Sequence, residues 1–235
     1  MKGLPSYPNP LLRGWRFQGD PPEASLYYRA TRAAAHVLFA PLWKIRAFNR
    51  HFEPARGGAV YICNHQSFLD PILMSLALRR PMNYMARDSL FRFPVFSGLI
   101  RSLNAFPVRR ATADLAAMKE AMRRLKAGAQ VVVFAEGTRT RDGRIGPLLP
   151  GVALLAQRAA QWTVPVVIDG AFEAWPRTQM LPLPGLITVC YGPPLSQEQA
   201  GAMSAQQLMH SVRATLIELQ ADLRRRVGRP ALTYP

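Results

Sequence analysis

Two hydrophobic patterns divide the chain. Between residues 26 and 48, apolar side chains recur at Leu26, Ala30, Ala33, Ala34, Val37, Leu38, Pro41, Ile45 and Phe48, close to the spacing of a helix. Arg29, Arg32, Lys44, Arg46 and Arg50 flank this stretch, with Tyr27, Tyr28 and Trp43 near its ends. Basic and aromatic flanks on a short apolar helix suit the headgroup layer of a membrane. An ordinary helix packed on the main domain produces the same pattern. Residues 1–24, rich in Pro, Gly and charge, read as a mobile or loosely packed arm.

Past Gly57 and Gly58 the pattern becomes strand–helix alternation. Residues 59–63 form a continuous apolar run of strand length, followed by a helix over 71–78 and a short strand over 82–85. Residues 90–103 are apolar and aromatic and in part helical. Thr112 is a candidate N-cap for a helix carrying Leu115, Met118, Met122 and Leu125 on one face, with Gly128 as its stop. Further strands are expected at 131–134, 164–168 and 187–191, and a helix at 151–162. Ser204 opens a long last helix that ends in Arg224, Arg225 and Arg226, cations suited to a helix C-terminus. The expectation is an α/β fold: a mostly parallel sheet flanked by helices, with an N-terminal amphipathic helical membrane-association segment. Residues 1–52 read as the arm and amphipathic helix, and residues 53–235 as the main domain.

Composition narrows the partners. With 49% hydrophobic and 19% charged residues, the 235-residue chain is globular in character and long enough for one sizeable core. The balance of 30 Lys+Arg against 14 Asp+Glu, formally +16, favours an anionic partner such as nucleic acid, anionic lipid or a phosphorylated substrate. The arginines are spread along the chain and no aromatic–basic nucleic-acid motif occurs, so no nucleic-acid partner is expected. Cys63 and Cys190 offer neither metal-ligand spacing nor a disulfide framework. No signal peptide is expected, because the start lacks an apolar segment. The best transmembrane candidate, residues 33–43, is far shorter than the ~20 residues of a span and contains His36 and Pro41.

The chemistry concentrates in Asn64-His65-Gln66-Ser67-Phe68-Leu69-Asp70, between a buried strand and a helix. On a regular helix, five residues would leave His65 and Asp70 ~140° apart. They pair only if the chain turns between them. Pro71 suits a first helical position, which makes Asp70 a candidate N-cap. A His beside a carboxylate is a general base held in one tautomer. A capping Asp and an unrelated half-buried His would read the same way. Arginines cluster at other strand exits: Arg109 and Arg110 after Phe106-Pro107-Val108, and Arg139, Arg141 and Arg144 after Phe134-Ala135-Glu136-Gly137-Thr138. Guanidinium groups there can fork onto a phosphate. His36, His51 and His210 lack a carboxylate context and read as structural. The stretch with Leu90, Phe91, Phe93, Val95, Phe96, Leu99 and Ile100 suits an acyl tunnel, a bilayer contact or plain core. Residues 173–177 read as a rigid surface turn.

Four segments, in order, resemble the blocks of the glycerolipid acyltransferase family of 1-acylglycerol-3-phosphate acyltransferases (PlsC-like). Asn64 to Asp70 resembles the His-x4-Asp block, and 105–110 the second block, whose last Arg implies phosphate contact for Arg110. Residues 134–139 resemble the Glu-Gly-Thr-Arg block, implying acceptor binding by Glu136, Gly137, Thr138 and Arg139. Residues 164–167 resemble the fourth block, and 191–195 a Gly-x-Pro strand exit. The chain departs from the family at Asn104, where Gly is common, at Ala135 for Pro, at 148–150, and at Ile168-Asp169.

The resemblance implies acyl transfer from acyl-CoA or acyl-carrier protein to a lysophospholipid hydroxyl, 1-acylglycerol 3-phosphate above all. His65 and Asp70 would be catalytic, and Arg139 and Arg110, helped by Arg109, would hold phosphate. Amides at the helix start after Asp70 are candidates for the oxyanion. No cofactor and no metal is expected. The expected partners are a phospholipid surface, the lysophospholipid acceptor and the donor. The expected location is peripheral or monotopic, on the cytoplasmic face of a membrane. Glycerol 3-phosphate or a lyso-aminolipid as acceptor, or a non-catalytic lipid-binding protein of the same fold, are the alternatives.

Overall fold

The computed structural model describes residues 24–39, 41–109 and 114–234. Among the described residues the first elements are α1 (Leu26–Phe39) and β1 (Trp43–Phe48), then β2 (Ala59–Cys63), α2 (Asp70–Ala77) and β3 (Met82–Arg87). Next come α3 (Pro94–Ser102), β4 (Ala105–Val108), α4 (Leu115–Lys126), β5 (Gln130–Phe134) and α5 (Ala153–Arg158). It closes with β6 (Trp162–Asp169), α6 (Ala171–Ala174), β7 (Gly185–Tyr191), β8 (Leu195–Ser196), α7 (Gln197–Gly201) and α8 (Ala205–Arg226). The sheet order is β1-β7-β6-β2-β5-β3-β4, with β8 beside β6. The pairs β1–β7, β6–β2, β2–β5, β5–β3 and β3–β4 are parallel; β6 runs antiparallel to β7 and β8. The fold is thus the expected α/β class, with a mostly parallel sheet flanked by helices.

Alternation along the strands builds two cores. Val60, Ile62, Val131 and Val133 face α4, α5 and α8, where Ala121, Leu155, Leu208, Val212 and Leu216 are buried. Ala59, Tyr61, Cys63, Val132 and Val164 face the other way, onto Leu73, Met74 and Ala77 of α2. The central strands are covered on both faces, which is why they read as unbroken apolar runs.

Several elements differ from the sequence reading. The helix expected through residue 48 ends at Phe39, and 43–48 is an edge strand of the sheet. Trp43, Ile45 and Ala47 are buried while Lys44 and Arg46 face out, a period of two that the helical spacing of Ile45 and Phe48 had masked. β1 therefore lies in the same sheet as β2, although the boundary expected at 52/53 falls between them. β4 went unread because it contains Pro107, which only an edge strand accommodates readily. Asn104 just before it takes φ 65, a left-handed conformation that explains the family's frequent Gly there.

The helix expected over 151–162 is only Ala153–Arg158, and Trp162 already belongs to β6. α4 is capped by Asp114, whose carboxylate accepts from Ala117 N at 3.1 Å; Thr112 lies outside the described residues. The buried face of α4 is Ala117, Ala121 and Leu125, and Leu115 is exposed. Residues 173 and 174 end α6 where a turn was expected. In the 90–103 stretch Leu90, Phe93, Val95, Phe96 and Leu99 are exposed, so it is not core. The arm expected over 1–24 falls almost wholly outside the described residues.

Candidate active site

The parallel strands β2, β5 and β6 end at the same edge of the sheet, the side where α/β folds assemble sites. Asn64 extends the β2–β6 pairing with its side chain, donating to Ile168 O at 2.9 Å and accepting from Ile168 N at 2.8 Å. The chain then turns sharply. Asp70 Oδ2 lies 2.7 Å from His65 Nδ1 and also accepts from the N–H groups of Gln66 (2.6 Å) and Ser67 (2.8 Å). The turn thus brings together two side chains that a straight helix would separate. Asp70 is not an N-cap: it is the first residue of α2, and its carboxylate points backward rather than onto the helix's own amides. Three donors on Oδ2 offset part of the cost of burying this carboxylate, whose Oδ1 meets no partner among the described residues. At the other end of α2, Arg32 donates to Leu78 O at 2.6 Å and His36 Nε2 lies 3.2 Å from Leu76 O. The helix therefore has an anion at its positive end and the Arg32 guanidinium at its negative end.

His65 is 7% exposed, and its ring stacks on Phe134 with centroids 4.2 Å apart. With Asp70 ionised, Nδ1 carries the proton and Nε2 offers its lone pair. The amides after Asp70 are already committed: Ile72 N and Leu73 N both donate to Leu69 O, and those of Gln66 and Ser67 go to Asp70. The helix start is therefore not the oxyanion site expected from the sequence.

Glu136 sits at the exit of β5. Its Oε1 accepts from His65 N at 2.9 Å and its Oε2 from Gly146 N at 3.0 Å. Burial pushes its carboxyl above the usual range, and those two amide bonds pull it back. Gly137 turns at φ 70, where an added Cβ would lie 2.9 Å from Leu149 Cδ1. Gly137 and Thr138 are exposed beside it. The Arg139 guanidinium lies 3.6 Å over the ring of Phe68, which is 54% exposed and packs against Trp175 at 5.6 Å.

His65, Asp70, Glu136 and, through Phe68, Arg139 thus form one cluster. Arg109 stands apart from it. Three strand spacings of about 4.8 Å separate β4 from β2, roughly 14 Å in all. Arg109 is exposed at the end of β4, and its N–H donates to Asp114 Oδ2 at 2.8 Å. Arg110 lies outside the described residues. Among the described residues, no group of three or more His, Cys, Asp or Glu is disposed to hold a metal ion.

A family model described as Acyltransferase matches residues 44–169, from β1 to the end of β6. The chain belongs to the acyltransferase family. It is 29% identical over 160 residues to the 1-acyl-sn-glycerol-3-phosphate acyltransferase LPAT1, chloroplastic, of Arabidopsis thaliana, covering 67% of this chain and 45% of that one. With the 1-acyl-sn-glycerol-3-phosphate acyltransferase of Bacillus subtilis the identity is 28% over 144 residues, covering 61% and 71%. The chain thus spans less than half the length of the Arabidopsis relative and most of the bacterial one. The crystal structure of the 1-acyl-sn-glycerophosphate acyltransferase PlsC from Thermotoga maritima shares the fold, with a TM-score of 0.71 at 22% identity over 83% of this chain and 80% of that one.

In this member of the acyltransferase family, sequence reading missed the residues that fasten the turn between His65 and Asp70. Gln66, Ser67 and Asn64 are all buried. Gln66 donates to Gly143 O at 3.0 Å and accepts from Phe172 N at 3.2 Å, and Ser67 Oγ donates to Trp175 O at 2.8 Å. Four consecutive polar residues, Asn64 to Ser67, directly after a buried strand were the available signal. Their partners lie more than 75 residues away and leave no local pattern.

Proposed function

We propose that this acyltransferase moves a fatty acyl group from acyl-CoA or acyl-carrier protein to the free hydroxyl of 1-acylglycerol 3-phosphate, giving phosphatidic acid. The observation that carries this reading is the 2.7 Å His65–Asp70 pair, with Asp70 further braced by two backbone amides. The names of the relatives support the acceptor. His65 Nε2 removes the hydroxyl proton as the oxygen attacks the thioester carbonyl. The C–O bond forms, the C–S bond breaks, and the imidazolium returns its proton to the departing thiolate. Asp70 steadies the imidazolium. A thioester is already activated, so the residues need supply only a base, orientation and charge complementarity. No cofactor takes part in this scheme.

Arg139, held over Phe68 at the mouth of the site, binds the acceptor phosphate, with Gly137 and Thr138 at the same rim. Arg109, exposed at the end of β4, contributes positive potential, and the family resemblance assigns a phosphate contact to Arg110. Glu136 acts indirectly, by holding the backbone of His65.

The acceptor comes from a phospholipid surface. Leu26, Val37 and Leu38 of α1, Phe93, Val95, Phe96 and Leu99 near α3, and Met180, Leu181 and Leu183 are all exposed. Tyr27 and Ser102 join α1 to α3 at 3.1 Å, and Trp43 Nε1, at the start of β1, donates to Leu183 O at 2.8 Å. Apolar side chains on linked elements suit shallow burial in a headgroup layer. No helix among the described residues is long and apolar enough to cross a membrane. The attachment in this scheme is peripheral or monotopic, on the cytoplasmic face.

The test is acyl transfer to lysophosphatidic acid, with wild type beside His65→Ala. Wild type should form phosphatidic acid, and the variant should be slower by about 10²–10⁴-fold, the usual contribution of a positioned base. A His65→Ala enzyme of normal rate would sink the mechanism, and an inactive wild type the assignment.

A further inference from the structure

The backbone of His65 is held from both sides, and both holds lead into one loop. Glu136 links His65 N to Gly146 N. The carbonyl of His65 accepts from Thr140 N at 2.7 Å, and the Thr140 hydroxyl donates to Arg144 O at 2.9 Å. A third tie is the bond from the Gln66 amide to Gly143 O. Residues 140–146 therefore set the position of the imidazole.

The far side of that loop is gripped by α8 and the segment after it. Arg213 donates to Gly146 O and Ile145 O, each at 3.0 Å. The buried Gln220 amide donates to Gly143 O at 3.1 Å and to Asp169 Oδ1 at 3.2 Å. The Tyr234 hydroxyl donates to Gln220 Oε1 and accepts from Ile145 N at 3.1 Å. Buried ion pairs fasten the segment that carries Tyr234. Asp169 pairs with Arg224 at 2.9 Å and with Arg229 at 3.1 Å; Arg224 also donates to Pro230 O and Arg229 to Leu186 O. Gly170 makes room for this: an added Cβ would lie 2.7 Å from Arg229 Nη1.

We propose that Tyr234 is a positioning residue for His65, acting through Gln220 and the 140–146 loop. The proposal rests on His65 being the catalytic base. The hydroxyl fixes which way the Gln220 amide points. Without it, the buried Oε1 has lost its donor and the amide is free to turn over, which withdraws its N–H from Gly143 O. Gly143 O then keeps only Gln66, and Ile145 N loses its acceptor. The loop that locates both the carbonyl and the N–H of His65 slackens, and small displacements of a base are costly to rate.

The test compares Tyr234→Phe, which keeps the ring, with the exposed Thr233→Ala as control. The readouts are kcat and KM for lysophosphatidic acid, the thermal midpoint, and the NMR resonances of the His65 imidazole. Tyr234→Phe should lose about tenfold in kcat, within the range that misplacement of a catalytic group produces. Its KM should change less than about twofold and the His65 resonances should shift, while Thr233→Ala matches wild type. Wild-type kcat with unmoved resonances would overturn the proposal, as would a change confined to KM or to thermal stability. An inactive wild type would instead defeat the functional assignment, and the imidazole resonances would still decide the role of Tyr234.

Discussion

The two faces of the sheet are finished differently. Over α4, α5 and α8 most apolar side chains are covered, Leu115 and Leu154 being the exceptions, and α4, α7 and α8 begin on side-chain caps. Ser196 with Gln199 and Ser204 with Gln207 form reciprocal capping boxes on α7 and α8. Over α1, α2 and α3, Leu26, Val37, Leu38, Phe93, Val95 and Leu99 remain in the open. A monomer rarely exposes so much apolar surface without a use for it. One face is completed by the protein itself, and the other, on the proposed function, by contact with a second apolar phase. The site lies at the sheet edge between them, with Phe68 and Arg139 at its mouth and the 140–146 loop behind it.

Three experiments press on this division. The largest effect is expected at the junction. Asp70→Asn keeps size and polarity but can no longer enforce the Nδ1–H tautomer, so turnover should fall by about 10³–10⁴-fold with acceptor KM little changed. A rate near wild type in steady-state kinetics would remove Asp70 from the mechanism.

Next comes a matched pair across the faces. Leu208→Ala, in the covered core, should cost about 2–5 kcal/mol in denaturant unfolding. Val95→Ser, at a side chain 90% exposed, should stay within about 0.5 kcal/mol. Flotation with anionic phospholipid vesicles should reverse the order, with Val95→Ser combined with Phe93→Ser binding at least about tenfold more weakly, since each side chain contributes roughly 1.5–3 kcal/mol when buried. Equal vesicle binding by all variants would erase the distinction between the faces.

The smallest effect lies on the covered side. Hydrogen bonds from Arg123 and then Arg124 hold the Glu120 carboxyl down to about 2, against an ordinary value of 4.5. A depressed carboxyl stabilises the fold above pH 4.5, and that contribution is lost as pH falls toward 2. Glu120→Gln should flatten this part of the stability profile. The pair is partly solvated, so the midpoint at neutral pH should drop by no more than about 2–4 °C in thermal scans. An unchanged acid limb would show that the ion pair contributes nothing.

Much of this organisation was legible beforehand, and the failures have identifiable causes. The strands at 59–63 and 131–134 were visible because sheets covered on both faces demand continuous apolar runs. The pairing of His65 with Asp70 was anticipated, but the direction of the carboxylate was not. Pro71 suggested a cap, whereas three donors behind Asp70 outcompeted the helix's own amides. β1 was hidden because six residues satisfy a helical and an alternating period almost equally well. Asn64, Gln66 and Ser67 received no individual role because their partners are at Ile168, Gly143 and Trp175.

By itself, the order of residues determined the inventory: an imidazole five places before a carboxylate, apolar runs long enough for a two-sided sheet, and arginines at strand exits. These depend on residue type and local spacing, which a linear chain expresses directly. Only the folded chain decided that Glu136 holds a backbone amide, that Arg139 lies on Phe68, and that Tyr234 reaches the loop behind His65. A hydrogen bond is satisfied by any partner at about 3 Å, and chain distance does not enter its energy. Which polar groups meet is therefore set by how the strands pack side by side.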